Sequence, residues 1–195
     1  MITRNLAIFL FDDVEVLDFC GPFEVFSVTN ELNDDIHLNV FTIAEQASPV
    51  LTRNGLSVNP RYTLADSPDL QMLLLPGGQG TRKVMNSAAV LSWLTAQYQN
   101  LELLLSVCTG SLILAKAGLL DGLAATTHHE VVELLRETAP KASIDTSKRF
   151  IDNGKIIVSA GISAGIDMSL YVVSRLFGEP IARRTATYME YDWRL

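Results

Sequence analysis

The sequence predicts an α/β fold, an open and mostly parallel sheet with helices on both faces, on three observations. Apolar runs of strand length lack the alternation of a half-exposed sheet, helix-spaced apolar segments take turns with them, and no linker, repeat or low-complexity tract divides the chain. The 195 residues are 48% hydrophobic and 19% charged, enough apolar surface for one sizeable core. A single domain over residues 1–195 is therefore expected, and disorder is excluded.

Leu6 to Phe11 is a continuous apolar run and reads as the first central strand. Phe19, Phe23, Phe26, Val28 and Leu32 then fall at roughly helical intervals, with Pro22 suited to a first turn, so a helix follows. His37 to Ile43 and Gln71 to Leu75 read as strands, Lys83 to Tyr98 as a helix, Glu102 to Val107 as a strand and Ser111 to Ala117 as a helix. Beyond Gly122 the pattern predicts a short strand at Leu123 to Thr126, a helix around Val131 to Thr138, and a hairpin turned by Asn153-Gly154 with Ile156 to Ser159 as its second arm. Helices from about Ser163 to Phe177 and Pro180 to Tyr188, divided by Gly178, complete the chain. Ligands of such folds sit at the carboxyl ends of strands, which directs the search for chemistry.

Fifteen Lys and Arg against 22 Asp and Glu leave a net charge of −7, the wrong sign for neutralising nucleic acid or an anionic membrane surface. No apolar run reaches the ~18 residues of a membrane helix, and the segment after Met1 ends at Asp12-Asp13 before a signal-peptide core is complete. Cys20 and Cys108 are too few for a disulfide framework, which favours a reducing compartment and a cytoplasmic protein. Three histidines and no Cys/His cluster of ligand spacing argue against a zinc site.

Three strand ends carry candidate chemistry. Leu103 to Val107 runs into Cys108-Thr109-Gly110-Ser111 and then a helix, the layout of a nucleophile elbow in which small residues let strand and helix approach. A helix N-terminus there is expected to lower the Cys108 pKa and raise its thiolate fraction. A free cysteine is more often a buried small hydrophobe, but the elbow context favours the nucleophile. Leu75-Pro76-Gly77-Gly78 ends a second strand, and the N–H of Gly78 with that of Thr109 is a candidate oxyanion hole; a flexible turn explains the glycines equally simply. Asp18, between Leu17 and Phe19 after the first strand, is either a proton donor and acceptor with a pKa raised by partial desolvation or a helix N-cap before Gly21-Pro22.

Other positions read more simply. Glu24 fits a solvated helix face and Cys20 a packing residue. His128 and His129 follow a fourth strand end, and adjacent residues point apart, so at most one reaches the site. Ser163 and Asp167 suit a helix start, and Tyr171, Phe177 and Tyr188 suit the core or an interface.

Taken together, Leu17-Asp18-Phe19-Cys20-Gly21-Pro22-Phe23-Glu24, Leu75-Pro76-Gly77-Gly78 and Ser106-Val107-Cys108-Thr109-Gly110-Ser111 resemble the ThiJ/PfpI superfamily, also called class I glutamine amidotransferase-like. Leu114 to Gly122, Ala125-Thr126-Thr127-His128 and Gly161 to Asp167 extend the match over nearly the whole chain. The resemblance implies a flavodoxin-like fold with a cysteine nucleophile elbow, and relatives are usually homodimers with the site near the interface. Within the superfamily the pattern is closest to isonitrile hydratases, whose cysteine is followed by threonine and whose aspartate lies in a Leu-Asp-x-x-Gly-Pro segment; Cys108, Thr109 and Asp18 occupy those positions. The protease-like branch has histidine after the cysteine, and the glyoxalase and deglycase branches use glutamate where Asp18 stands.

The resemblance therefore implies hydration of a small-molecule isonitrile to an N-substituted formamide, with Cys108, Asp18, Thr109 and Gly78 catalytic, Gly77 and His128 in the substrate pocket, and no cofactor or metal. A glyoxalase or deglycase acting on small carbonyls is the alternative enzyme. The non-enzymatic alternative is a redox or small-molecule sensor like the N-terminal domains of AraC-type regulators, which continue into a helix-turn-helix region of ~100 residues.

Overall fold

In the computed structural model, which describes residues 3–193, seven strands form one sheet in the order β10-β11-β7-β6-β1-β2-β5. The elements along the chain are β1 (Arg4–Leu10), α1 (Val16–Glu31), β2 (Leu38–Ala44), β3 (Val50–Leu51), β4 (Ser57–Val58), β5 (Tyr62–Thr63), β6 (Met72–Leu75), α2 (Thr81–Val84) and α3 (Ala88–Asn100). Next come β7 (Leu103–Val107), α4 (Ser111–Lys116), β8 (Ala124–Ala125), α5 (Val132–Thr138), β9 (Ser143–Ile144), β10 (Phe150–Asp152), β11 (Ile156–Ser159), α6 (Ala164–Phe177) and α7 (Glu179–Tyr188). Every pairing in the main sheet is parallel except β10 with β11. Met1, Ile2, Arg194 and Leu195 lie outside the described residues, and with them the ends of both terminal segments.

The open, mostly parallel single-domain fold expected from the apolar runs is the one observed. Leu6, Ala7, Ile8 and Leu10 of β1 and Leu73, Leu74 and Met72 of β6 are fully buried, because helices cover both faces of these central strands. Chain order reverses between β1 and β6, and such a switch point opens a crevice at the carboxyl ends of the strands. Register then brings the strand ends level: Leu75 lies beside Ser106, and Val107 beside Ser159.

Several elements differ from their sequence reading. α1 begins at Val16, so Pro22 lies well inside it and Asp18 in its first turn; Asp18 is not an N-cap. The long helix expected from Lys83 to Tyr98 is two, because the Ser87 hydroxyl caps α3 by accepting the Val90 N–H at 3.3 Å. The strand near Leu123 shrinks to Ala124–Ala125 and pairs with β9 outside the main sheet. In the hairpin, Asn153 N–H donates to the Ile156 carbonyl, and Gly154 takes φ +86° as the first of the two turn residues. Cys20 is exposed, where a packing role was expected.

Candidate active site

The elbow is built by strand sterics. Val107 ends β7 with an extended backbone (φ −120°), and Cys108 turns at φ +57°, a conformation uncommon for a residue with a side chain. Its carbonyl accepts hydrogen bonds from the Thr127 hydroxyl (2.9 Å) and the Ser111 hydroxyl (3.1 Å), which hold the turn in place. A Cβ on Gly110 would come within 2.1 Å of the Leu75 carbonyl oxygen, so glycine is required for the turn to pack against the end of β6.

A second loop, after β6, lies directly beside the elbow. Gly77 N–H donates to Asp18 Oδ2 at 2.9 Å, and a Cβ on Gly77 would fall within 2.6 Å of the Thr109 nitrogen. The Gly78 N–H donates to Thr109 Oγ1 at 2.9 Å, and that oxygen also lies 3.1 Å from both Thr81 Oγ1 and the Gly78 carbonyl. This corrects the oxyanion-hole expectation: the Gly78 donor is spent on Thr109, whose hydroxyl pins the loop. Gly77 positions Asp18 and is not among the residues that wall the cleft above Cys108.

Asp18 is fully buried. Its Oδ1 has no well-aligned hydrogen-bond partner, and the Cys108 thiol is a polar group facing the carboxyl. Burial raises the Asp18 pKa to about 7, against the lowering effects of the Gly77 N–H and the Cys108 thiol, while the Glu15 charge adds to the rise. Burial and the neighbouring Asp18 charge push the Cys108 thiol up to about 12, opposed by the N–H groups of Thr109 and Ile162 at the sulfur. The thiol pKa expected from sequence thus has the wrong sign. A helix terminus contributes roughly 0.3–1 kcal/mol, under one pKa unit, whereas burial beside a carboxyl moves a pKa by several. The two acids share a site that tolerates one negative charge, so ionising either disfavours ionising the other.

The cleft over the sulfur has a volume of about 40 Å³ and is bordered by Cys108, Thr109, Gly78, Ile162, His128, Arg53 and Arg82. His128 reaches it and His129 does not, although their rings lie 4.3 Å apart. Burial, then the His129 charge, lowers the His128 pKa. Glu24 and Ser163 are exposed, whereas Asp167 is buried and binds Arg149 and Tyr191. Among the described residues no group of three or more His, Cys, Asp or Glu is placed to hold a metal ion, and no helix is long and apolar enough to cross a membrane.

Sequence reasoning missed Ile162, Thr127 and Thr81. Ile162 follows β11, the parallel neighbour of β7, and takes φ +52°, a strained conformation for a β-branched side chain, with its N–H at the sulfur. Its place just past a strand end was a usable signal, but only the strand order makes it a neighbour of Cys108.

The model of the DJ-1/PfpI family matches residues 4–175. Among curated relatives, the isonitrile hydratase of Pseudomonas putida is 32% identical over 187 residues, covering 96% of this chain and 78% of the relative. The HTH-type transcriptional regulator CdhR of Pseudomonas aeruginosa is 30% identical over 93% of this chain, which spans about half (53%) of that regulator. Among solved structures, a ThiJ/PfpI family protein from Pseudomonas syringae superposes with a TM-score of 0.88 at 29% identity, covering 100% of this chain and 78% of that one. Drosophila melanogaster DJ-1beta shares the fold at a TM-score of 0.84 and 18% identity, with 98% and 100% covered. Motifs, fold and family match agree, and this chain belongs to the DJ-1/PfpI family.

Proposed function

We propose that the protein hydrates a small isonitrile to an N-substituted formamide. The observation that carries this reading is the buried Asp18 carboxyl, with an unsatisfied oxygen, facing the thiol of a strained elbow cysteine. Similarity to the P. putida isonitrile hydratase supports the same substrate class.

Asp18 takes the thiol proton as Cys108 sulfur bonds to the terminal isonitrile carbon, and returns that proton to the same carbon, leaving a thioimidate. Only one proton is held between the two groups at that moment, which is the state their shared burial favours. Asp18 then takes a proton from water as its oxygen adds to the thioimidate carbon, and passes it to nitrogen. Collapse of the tetrahedral adduct breaks the carbon–sulfur bond, returns a proton to sulfur and releases the formamide, so one water is consumed per turnover. Thr109 and Ile162 N–H groups steady the sulfur throughout. On this reading the partner is a small molecule, no cofactor takes part, and the protein works in the cytoplasm as a homodimer; the exposed Leu17, Leu51 and Leu56 are available to a second copy.

The experiment incubates the protein with an alkyl isonitrile and, separately, with methylglyoxal, and measures formamide and lactate. Formamide that disappears in Cys108→Ala is expected. Formamide made equally well by Cys108→Ala would remove the nucleophile, and lactate alone would favour a glyoxalase. A sensor domain is the second reading, favoured by the similarity to CdhR; neither product, with tight binding of a small ligand, would support it.

A further inference from the structure

We propose that the Cys108 cleft selects a compact anionic substrate and that Arg82 is the residue that recognises its carboxylate. That the reacting group is an isonitrile rests on the reading above; the preference for an anion does not.

Four charged side chains border the cleft: Arg53, Arg82, Glu15 and Glu130. Arg53 Nη1 lies 3.2 Å from Glu15 Oε2, so those two charges answer one another. Arg82 is different. Its Nη1 donates to the Gly78 carbonyl at 3.2 Å and lies 3.4 Å from Thr81 Oγ1, which clamps the guanidinium to the loop beside Cys108. Among the described residues no carboxylate reaches Arg82, and its Nε and Nη2 have no protein acceptor. Among the described residues Arg61 and Arg184 also lack an ion pair, but of the two arginines that border the cleft only Arg82 has its charge unanswered. A planar fork of this kind suits a carboxylate. Glu130 is exposed and beyond ion-pair distance of Arg82, so solvent and salt weaken its repulsion.

His128 adds a neutral ring to the cleft wall. Its Nδ1 accepts the Glu130 N–H at 3.3 Å, which assigns the ring proton to Nε2, and its lowered pKa keeps the ring neutral. The cleft over the sulfur is narrow, about 40 Å³, which favours a compact anion. The carboxylate is thus held on the Arg82 side while the reacting carbon meets sulfur.

The test compares alkylation of Cys108 by iodoacetate and by iodoacetamide in the intact protein, resolved by peptide mass spectrometry. The exposed Cys20 serves as the internal reagent control. The iodoacetate-to-iodoacetamide rate ratio at Cys108 is expected to fall about tenfold in Arg82→Gln and less in Arg82→Lys, while the Cys20 ratio stays put. Using a ratio cancels any general loss of thiol reactivity caused by loosening the Gly78 loop. In the wild type the ratio should also fall about threefold or more between roughly 0.01 M and 1 M salt, which needs no variant to fold. A Cys108 ratio indifferent to Arg82 and to salt, or no alkylation there by either reagent, overturns the proposal.

A second arm measures kcat/KM for isocyanoacetate and for its methyl ester. The anion is expected to be favoured about tenfold, with the gap closing in Arg82→Gln. An ester turned over as well as the anion overturns the proposal. Inertness of both isonitriles with the alkylation ratio intact would instead sustain the anion site and defeat the hydratase reading.

Discussion

Two of the clefts on this molecule contrast sharply, and the smaller of the pair is the one that lies over the Cys108 thiol. The larger, about 340 Å³, lies among the end of β1, the segment after β2 and α2; Phe9, Phe11 and Val50 line it, and its charged residues Asp12, Glu45 and Lys83 are exposed. The smaller, about 40 Å³, lies over a thiol that is 5% exposed, backed by a carboxyl that is 0% exposed. Volume alone would not single out the thiol. Reactivity needs titratable groups taken out of water and held against each other, and the large cleft keeps its own in solvent.

The sharpest way to break this contrast is Asp18→Asn, which keeps the size and the Gly77 contact but not the base. A loss in kcat/KM of about 10³ is expected, in the range for a positioned acid–base group, and the wild-type kcat/KM should rise as pH increases through about 7, a limb the variant lacks. Stability moves the opposite way. The folded Asp18 pKa lies above its unfolded value of 3.8, so the native state holds the extra proton and wild-type stability falls as pH rises from about 4 to about 7. The full span amounts to about 4 kcal/mol, and Asp18→Asn should remove that slope in chemical denaturation across this range. Turnover by Asp18→Asn at the wild-type rate would show that the buried carboxyl is not the base.

Gly77→Ala should come next in size. Its Cβ would meet the Thr109 nitrogen, Asp18 Oδ2 and Thr109 Oγ1 at 2.6–2.7 Å, so the acid and the elbow must separate. A drop of about 100-fold in kcat with a destabilisation of about 1–3 kcal/mol is expected, read by steady-state kinetics and thermal unfolding. The smallest effect is predicted for Lys83→Ala in the larger cleft: kcat/KM within about twofold of wild type and stability within about 0.5 kcal/mol. A large loss of activity there would mean that the two clefts act together.

How far the sequence could be read depends on the range of each effect. The central strands were legible because their apolar runs are long and continuous, and the elbow because Cys108-Thr109-Gly110-Ser111 follows such a run directly. β3, β4 and β5 were not, since two residues carry no periodicity. Pro22 suits a helix's first turn, yet α1 begins six residues earlier and accommodates it. Cys20 and Cys108 illustrate the limit: one amino acid type, expected to pack in the first case and to ionise in the second, with the first found exposed and the second found buried with a raised pKa.

By itself the sequence determined the fold class and the strand ends that the candidate thiol and carboxyl occupy, because these follow from local patterns along the chain. Tertiary structure alone decided that the Gly78 N–H is consumed by Thr109, that Ile162 leans its N–H on the sulfur, and that Arg82 has no counter-charge among the described residues. It also reversed the direction of the Cys108 pKa. Desolvation and Coulomb forces act through space between residues far apart in the chain, so their balance exists only once β1, β6, β7 and β11 lie side by side.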